Sequence, residues 1–429
     1  MVGTARTETS PRSLWEATAA AAPEYPPLAA ELRAKTAIIG AGYTGLTAAL
    51  HLAEAGHDVA LIETHTPGWG ASGRNGGQVI AGLKHDPETL RALLGETDGN
   101  RLIRTAGAAP DLVFDLIAHH AIACEATRAG WLQLAVNAAT EHTLAERTRQ
   151  WRAHGADISL LNTAQTARLT GTQFYRAAML DRRGGTVQPL AYARGLATAA
   201  TAAGARIFAA TPATALLAAG KGWRIATPEG EIHADQVILA TNAYADHLHD
   251  RLRRSVTAVP SWQVATDPLP AEVAAAILPE RQAGSDMRHL LRYFRLDQAG
   301  RFIFGARGSY REPQPATTVR QLIAAARGVF PALRAIPFPY NWGGMVAMTE
   351  DHLPHLHTLA PGLFAGLGYN GRGVAMATAM GRELAALASG TAPDLIDVPI
   401  ASLRPQRFHV ASRLGVRAAV AWYRLVDRL

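Results

Sequence analysis

Cysteine is nearly absent from this chain, because Cys124 is the only one among its 429 residues. A disulfide within the chain is thereby excluded, which favours a reducing compartment such as the cytoplasm. Long apolar runs are also missing: no stretch of 18 apolar residues occurs, and charged residues and prolines interrupt the Ala-rich first 35 residues. These absences argue against a transmembrane helix and a signal peptide, so we expect a cytoplasmic protein.

The chain has little net charge outside its C-terminal end. The formal net charge is +7, but residues 404–429 contain six arginines and one acid, so the remainder is nearly neutral. A nearly neutral body argues against nucleic acid as a partner. We predict that residues 404–429 form a basic amphipathic helix that packs on the body; peripheral contact with anionic lipid or with another subunit is the alternative.

Residue patterns typical of metal sites and of nucleophilic hydrolases are lacking as well. His352, His355 and His357 lie beside Asp351, but the run contains Pro354 and has no regular helical spacing. Metal ligands normally recur at spacings that one helix or one turn can bring together. No Ser-His-Asp order and no Walker-type phosphate loop stands out. We therefore predict no metal site.

What the chain does contain is an alternation of strand and helix patterns. Its length exceeds that of the usual single hydrophobic core, so two domains are expected. An apolar strand at 36–39 is followed by a helical pattern at 44–55 and a second strand at 58–63. Longer strand patterns dominate between 256 and 306. This order predicts an α/β fold with a second, β-rich domain.

A glycine-rich turn joins the first strand to the first helix. Gly40 allows the tight turn, Gly42 lets the backbone approach a pyrophosphate, and Gly45 lets helix and strand pack closely. The helix N-terminus favours the anion, and Glu63 at the end of the next strand is placed to accept a hydrogen bond from a ribose 2′-hydroxyl. The acid would repel a 2′-phosphate, so FAD or NAD is favoured over NADP. The predicted cofactor ligands of this unit are Gly40, Gly42, Tyr43, Thr44, Gly45 and Glu63.

A second polar, glycine-rich loop at 70–78 distinguishes FAD from NAD. A flavin ring requires close approach by backbone, and the amides of such a loop form a concave site for anions and ring oxygens. An enzyme that binds only NAD has no need of this loop. The predicted flavin ligands here are Ser72, Arg74, Asn75, Gly76, Gly77 and Gln78.

The segment from Thr36 to Gln78 resembles the N-terminal unit of the D-amino-acid-oxidase-like flavoprotein superfamily. Within it, GYTGLTAALHLAEAG and GASGRNGGQ are similar to the gamma-glutamylputrescine oxidase-like branch. The likeness continues in NAY at 242–244, in RYFRL at 292–296 and in the C-terminal GYNGRGV, and it covers nearly the whole chain.

The resemblance implies a Rossmann-like FAD-binding domain of the glutathione-reductase type, with an inserted substrate domain of mixed sheet and helices. It also implies oxidation of a C–N bond, with hydride transfer to flavin N5. Family members that tether the flavin through cysteine have that cysteine in the C-terminal half, whereas Cys124 lies elsewhere. FAD is therefore expected to be bound noncovalently.

The C-terminal turn at 366–374 is the other flavin contact that the resemblance implies. A strand, a glycine turn and a helix N-terminus recur there, which suits negative charge on the reduced flavin. Gly371, Gly373 and Val374 are predicted cofactor ligands, and Arg372 is predicted to face either the flavin or the substrate. Related branches often have histidine where this chain has Tyr369.

Three further side chains are candidates for the active site. Trp342 precedes a Gly-Gly pair and is predicted either to form a wall of the site or to serve packing alone. Tyr293 and Arg295 alternate on one predicted strand and therefore share a face. If that face covers the flavin, they are placed to hold a substrate carboxylate or amide; a solvent-facing polar side is the alternative.

The domain layout that follows is discontinuous. Residues 1–35 form a lead-in, and residues 404–429 form the basic helix. The FAD-binding domain is predicted to combine 36–84, 151–244 and 341–403. The substrate domain is predicted to combine 85–150 and 245–340.

The function implied is FAD-dependent oxidation of an amine to an imine or aldehyde with H2O2 as co-product, as in gamma-glutamylputrescine oxidases. The alternative is a D-amino-acid or N-methyl amino-acid dehydrogenase that passes electrons to a quinone. A third possibility is a scaffold protein that retains FAD for structure alone; the intact glycines in all three turns argue against it. The partners expected are a small-molecule amine and either oxygen or a quinone.

Overall fold

The computed structural model of the protein describes residues 13–245, 248–310 and 314–406. Most of the predicted basic helix, residues 407–429, therefore lies outside the described residues, as do the first twelve residues of the lead-in. Within the described ranges, no helix combines the length and apolar character needed to cross a bilayer.

Helices alternate with strands along the described chain, as the sequence predicts. The first long helix begins beside the glycine turn at Tyr43, one residue before the predicted start. The α-helices are α1 (Leu14–Thr18), α2 (Tyr43–Glu54), α3 (Pro87–His119), α4 (Ala138–Ala153), α5 (Thr163–Thr170), α6 (Pro189–Ala202), α7 (Asp250–Arg253), α8 (Ala271–Ala276), α9 (Ala316–Val329) and α10 (Gly373–Ala388).

The strands divide between two large sheets and one short hairpin-like pair. They are β1 (Glu31–Ile39), β2 (Val59–Ile62), β3 (Gln78–Val79), β4 (Trp131–Ala135), β5 (Ile158–Leu161), β6 (Ala177–Asp181), β7 (Gly185–Thr186), β8 (Arg206–Phe208), β9 (Ala215–Ala219), β10 (Gly222–Ala226), β11 (Glu231–Leu239), β12 (Thr257–Pro268), β13 (Ala283–Asp286), β14 (Tyr293–Leu296), β15 (Arg301–Arg307), β16 (Tyr340–Met348), β17 (His355–Ala360) and β18 (Leu363–Leu367).

The first sheet has the order β17-β18-β11-β1-β2-β8, with β10 and β9 added beside β11. Its central strands β18, β11, β1, β2 and β8 run parallel. Ile38 in β1 lies opposite both Ile238 and Leu61, and all three are buried. Parallel strands covered on both faces need such apolar runs, and their carboxyl ends form a common edge where ligands bind.

The second sheet has the order β16-β12-β15-β14-β13-β4-β6-β5 and is antiparallel except for the β13–β4 pair. One of its faces packs on α9, and Phe294, Phe302 and Phe304 are fully buried in that layer. Phe330, directly after α9, lies edge-on to Phe294 with ring centroids 4.9 Å apart. The aromatic layer fixes the sheet as a rigid platform opposite the first one.

The α/β architecture agrees with the predicted fold class, whereas two predicted domain segments group differently by sheet and core. Strands β5 and β6 belong to the second sheet, although 151–244 was assigned to the FAD-binding domain. Helix α3 buries Leu102, Ala106 and Val113 in the core shared with α2 and α10, although 85–150 was assigned to the substrate domain. An apolar stripe in a sequence predicts that a helix is buried and gives no information about its partner sheet. The exact division into domains stays a proposal.

Candidate active site

A cavity of about 760 Å³ lies between the two sheets. It begins at the carboxyl ends of β1 and β2, where Ile39 and Ile62 line it, and it reaches Trp131 and Tyr293 on the second sheet. Most of the residues predicted as ligands line this one cavity: Gly40, Gly42, Tyr43, Thr44, Glu63, Ser72, Arg74, Asn75, Gly76, Gln78, Tyr293, Gly371, Arg372, Gly373 and Val374. Segments distant in the chain therefore converge on it.

The glycine turn after β1 has the backbone that its sequence predicts. Gly40 has φ +108°, and a Cβ there would lie 2.9 Å from the Ala240 carbonyl oxygen. A Cβ at Gly45 would lie 2.0 Å from the Gly40 carbonyl oxygen, so only glycine permits this approach of α2 to the strand. Gly45 does not line the cavity; its part is the close packing of helix and turn.

The N-terminus of α2 faces the cavity. The Tyr43 amide donates to Ser72 Oγ at 3.0 Å, so the second predicted loop caps the helix that the first motif begins. The first amides of a helix have no partner inside it, and they carry the positive end of its dipole. This arrangement suits a pyrophosphate.

Glu63 is the residue directly after β2 and lines the same cavity. Its two carboxylate oxygens accept from the Ala41 amide at 2.8 Å and the His65 amide at 3.0 Å. Burial raises the pKa of Glu63, while these backbone hydrogen bonds lower it. The carboxylate is thus fixed at the strand end, with lone pairs left over for a ribose hydroxyl.

The loop at 70–78 is held by its own side chains and by the second sheet. Asn75 Nδ2 donates to the Ser72 carbonyl at 2.8 Å, and Asn75 Oδ1 accepts from the Gly77 amide at 2.7 Å. Gln78 Nε2 donates to the Gly284 carbonyl at 3.1 Å, while its Oε1 accepts from Ser285 Oγ at 2.9 Å. Asn75 and Gln78 therefore use much of their hydrogen-bonding capacity within the protein, and the backbone of the loop is what they present to the cavity.

Besides Gly45, the predicted site residues Gly77 and Trp342 lie away from the cavity lining. Trp342 lies outside the cavity lining: the residue is 3% exposed, and its indole Nε1 donates to the Arg74 carbonyl at 3.2 Å, so its ring packs inside the protein. A Cβ at Gly77, which has φ +66°, would lie 2.2 Å from the Val187 carbonyl oxygen and would not face the cavity. Residue spacing does not distinguish the two faces of the strand that contains Trp342, because the residues on both faces are at least partly buried.

Tyr293 does line the cavity, and its hydroxyl lies 2.8 Å from Ser261 Oγ. Its ring packs on Gly76, where an added Cβ would lie 2.9 Å from the ring. Burial raises the pKa of Tyr293, so the phenol stays protonated at neutral pH. Arg295 is not in the cavity lining: it is buried behind Gly77, and its Nη2 donates to the Val187 carbonyl at 2.8 Å.

The turn before α10 brings Arg372 to the same cavity. Gly371 has φ +89° and Asn370 has φ +51°, which reverse the chain between β18 and the helix. Arg372 Nη1 donates to the Ala81 carbonyl at 3.0 Å, and the guanidinium carbon lies 5.3 Å from the Trp131 ring centroid. The guanidinium is thus fixed between the flavin-loop segment and the second sheet.

Three cationic side chains line one part of the cavity: Lys84, Arg147 and Arg372. Arg147 is paired with Asp86, with Nε and Oδ1 2.6 Å apart. Within the part of the chain that the structure describes, neither Lys84 nor Arg372 has a carboxylate within ion-pair distance. Burial, together with neighbouring arginines, lowers the pKa of Lys84 and brings that of Arg372 to about 9. Asp86 and Asp181 act on Arg372 only from beyond ion-pair distance.

Sequence reasoning missed Lys84, Arg147 and Trp131. Lys84 follows the flavin loop by a few residues, and that proximity was the one signal available. The histidines weighed as metal ligands do not gather: His355 pairs with Asp351 at 2.9 Å, and His357 Nδ1 lies 2.7 Å from the Ala401 carbonyl oxygen.

The comparisons with known proteins agree with this geometry. Residues 35–387 match the family described as DAO, FAD dependent oxidoreductase. The chain is 30% identical over 419 residues to the gamma-glutamylputrescine oxidoreductase of Escherichia coli K12, covering 96% of this chain and 97% of the relative. It is 32% identical over 424 residues to the probable oxidoreductase OrdL of Rhizobium meliloti strain 1021, covering 97% of both chains.

The fold has solved counterparts as well. The crystal structure of glycine oxidase from Geobacillus kaustophilus superimposes with a TM-score of 0.74 at 23% identity, covering 86% of this chain and 99% of that one. At this identity the likeness concerns the fold alone. It is the fold of a two-sheet protein with a cavity between the sheets.

Proposed function

Because this chain belongs to the DAO family of FAD-dependent oxidoreductases, we propose that it oxidises the C–N bond of a small amine that also carries a carboxylate. The gamma-glutamylated diamines are the substrate class that we favour. The name of the Escherichia coli relative, which spans nearly the whole chain, supports this choice. The positive charges of Lys84 and Arg372 in the cavity also support this choice.

FAD is the cofactor of the family, and the cavity residues fit its parts. The Gly40–Gly45 turn and the N-terminus of α2 suit the pyrophosphate, and Glu63 suits the adenosine ribose. We assign the flavin ring to the space between the 70–78 loop and the turn at 371–374. FAD supplies the oxidising chemistry by accepting a hydride at N5 from the carbon next to the amine nitrogen, and water then hydrolyses the resulting imine to an aldehyde.

The observation that carries the substrate class is the pair Lys84 and Arg372, two cations without acidic partners among the described residues. Lys84 is exposed at the cavity and Arg372 is half-buried, and a bound carboxylate would give both cations a charged partner. The same cations disfavour a protonated amine, so they lower the pKa of a bound ammonium group. A neutral amine is the form that can release hydride from the adjacent carbon. An unmodified diamine, which carries two positive charges at neutral pH, suits this site poorly.

We propose molecular oxygen as the electron acceptor, with H2O2 as the product. The alternative, transfer to a quinone at a membrane, depended on the basic C-terminal segment, whose residues 407–429 lie outside the described part. The cytoplasmic location likewise stays a prediction.

An anaerobic bleaching experiment tests the substrate class. The FAD-loaded protein would be mixed without oxygen with gamma-glutamylputrescine, putrescine, sarcosine or D-alanine, and the loss of flavin absorbance would be followed. We expect rapid bleaching by gamma-glutamylputrescine and little by putrescine. Equal bleaching by putrescine would overturn the carboxylate requirement, and no bleaching by any amine would overturn amine oxidation. Rates of peroxide formation against reduction of a quinone dye then decide the acceptor.

A further inference from the structure

The helix α1 is ordered by its docking and not by its own stability. It has five residues, and a helix this short is unstable alone in water. Ser13 and Glu16 form a capping box at its start, with the Glu16 amide donating to Ser13 Oγ at 3.0 Å. Leu14 and Trp15 are fully buried, in one cluster with Leu190, Ala265, Ile303 and Trp342. The helix lies before residue 35, where the match to the family begins.

Trp15 contacts the flavin loop through its indole nitrogen. Trp15 Nε1 donates to the Asn75 carbonyl at 2.9 Å. The preceding carbonyl, that of Arg74, is held by Gln263 Nε2 at 2.6 Å and by Trp342 Nε1 at 3.2 Å. Trp15 and Trp342 pack edge to face, with ring centroids 5.5 Å apart, and neither lines the cavity. The Asn75 carbonyl is thus bound by a residue outside the cavity lining, while one of the two donors to the Arg74 carbonyl, Gln263, lines the cavity.

The orientation of the Asn75 carbonyl sets that of the next amide. In a trans peptide the carbonyl and the following N–H lie in one plane and point in opposite directions. With the Asn75 carbonyl bound to Trp15, the Gly76 amide is directed to the opposite side, and Gly76 lines the cavity. Among the described residues the Gly76 amide has no hydrogen-bond partner, whereas the neighbouring amides of Asn75 and Gly77 are both bonded. A free backbone donor therefore faces the flavin space.

The Trp15 ring is itself fixed from behind. The Arg295 guanidinium carbon lies 5.0 Å from its ring centroid, and Arg295 Nη2 donates to the Val187 carbonyl. A desolvated cation over an indole face attracts it electrostatically. Gln188 Nε2 also donates to the Trp15 carbonyl at 3.0 Å. The ring and the backbone of Trp15 are both held by neighbouring residues, so its indole N–H is kept pointing at the Asn75 carbonyl.

We propose that Trp15 is a positioning residue for the cofactor: it holds the Asn75–Gly76 peptide so that the Gly76 amide donates to the flavin ring. A segment outside the family-matched region thereby completes the flavin site. The proposal rests on the proposed function only in the assignment of the flavin ring to this loop. It does not depend on the identity of the amine.

The test compares Trp15→Phe with the wild type by titrating the apo-protein with FAD. Phenylalanine keeps an aromatic ring in the cluster but has no N–H, so we expect the dissociation constant for FAD to rise about five- to tenfold. We also expect the visible absorption maximum of the bound flavin to shift, because a hydrogen bond to the ring is lost. The melting temperature of the apo-protein should fall modestly, because a fully buried ring is made smaller and a hydrogen bond is lost, so FAD affinity is compared at a temperature where both proteins are folded.

Two control variants separate positioning from general packing. Thr18→Val removes a hydroxyl that donates to the Leu14 carbonyl and accepts from Gln188 Nε2 at 3.3 Å. Gln188 Nε2 still has the Trp15 carbonyl as its acceptor, so this variant should leave FAD affinity and the flavin spectrum unchanged. Trp342→Phe removes a donor to the Arg74 carbonyl, which Gln263 still holds, so its effect should be smaller than that of Trp15→Phe.

The proposal is overturned if Trp15→Phe binds FAD with wild-type affinity and spectrum. It is also overturned if Thr18→Val weakens FAD to the same extent, because the helix would then act by packing alone. If Trp15→Phe does not fold, incorporation of benzothienylalanine at position 15 keeps the bicyclic shape without the N–H and permits the same titration. None of these measurements requires turnover, so a wrong substrate class would leave the result intact.

Discussion

The hydroxyl groups of Thr44 and Tyr369 lie 2.5 Å apart and join the first turn of α2 to the turn that precedes α10. Both residues line the cavity, and Tyr369 is 5% exposed. Burial raises the pKa of the Tyr369 phenol, so it remains a donor at neutral pH. This contact connects two of the three glycine-rich segments that were predicted separately as cofactor ligands.

Tyr369→Phe should therefore lower the free energy of unfolding by about 1 kcal/mol, since a buried hydrogen bond is lost and the Thr44 hydroxyl is left without its partner. Urea unfolding measures this change. Tyr340→Phe is a matched control, because among the described residues the Tyr340 hydroxyl has no hydrogen bond, and it should have little effect. Equal losses in both variants would show that the Thr44–Tyr369 contact contributes no stability of its own.

Gly45→Ala should destabilise the protein and weaken FAD binding. The added Cβ would lie 2.0 Å from the Gly40 carbonyl oxygen, and relieving such overlap in a close-packed site typically costs about 1–3 kcal/mol. Gly328→Ala in α9 is the opposite case, because nothing lies within 4 Å of its added Cβ. There the change should stabilise by roughly 0.5–1 kcal/mol through helix propensity. Thermal unfolding with and without FAD measures both the expected loss of stability in Gly45→Ala and the expected gain in Gly328→Ala.

Glu63→Gln should weaken FAD binding while preserving the size of the side chain. A charge-assisted hydrogen bond contributes about 1.5–3 kcal/mol, so the dissociation constant should rise by roughly 10- to 100-fold. Fluorescence titration of the apo-protein measures it. Glu229→Gln, which changes an exposed acid, should bind FAD normally. If Glu63→Gln does so too, Glu63 is not a cofactor ligand.

Lys84→Met should raise KM selectively for amines that carry a carboxylate. Methionine keeps the length of the side chain and removes the charge, so the predicted effect is roughly 10-fold or more in KM, corresponding to a charged hydrogen bond of about 1.5–3 kcal/mol. The same amine with its carboxylate converted to an amide should show a much smaller difference between variant and wild type. Lys35→Met, at an exposed position, serves as the control.

The pH dependence of carboxylate binding should reflect the cation pair. The pKa values of Lys84 and Arg372 are both lowered in the free protein, mainly by burial. A bound carboxylate favours their charged forms and raises these pKa values, so binding takes up protons at alkaline pH. Affinity should therefore be constant at neutral pH and fall as pH rises through the lowered pKa values.

Butyrate is a suitable probe, because it carries a carboxylate but no amine that titrates. Calorimetric titrations between pH 7 and roughly pH 10 measure its affinity. The decline should become shallower in Lys84→Met, because one of the two titrating cations is gone. The charges that act on this pair are Arg147 with its partner Asp86 and Arg183 with its partner Asp181. An affinity independent of pH in the wild type would exclude the pair as the carboxylate site.

The backbone of the first glycine-rich turn could be predicted from the sequence because the requirement for each glycine arises within the turn itself. The turn from Gly40 to Gly45 needs glycine at positions where an added Cβ would meet the turn's own backbone, and this requirement is visible in the residue types alone. The surroundings of Trp342 could not be predicted in this way. Whether its ring faces a ligand or a buried cluster depends on Trp15, and no spacing rule connects the two residues.

The sequence by itself determined the α/β class, the two glycine-rich motifs and the acid at the end of β2, since strand, turn and helix patterns specify their own backbone. The tertiary structure alone decided which side chains meet. It brought Arg372 to the Ala81 carbonyl across 291 positions of the chain. It also left Lys84 and Arg372 on the cavity wall with no carboxylate within ion-pair distance among the described residues. It also placed Trp15 against Asn75. Such contacts depend on how two sheets pack, and packing is decided by the whole core rather than by any one segment.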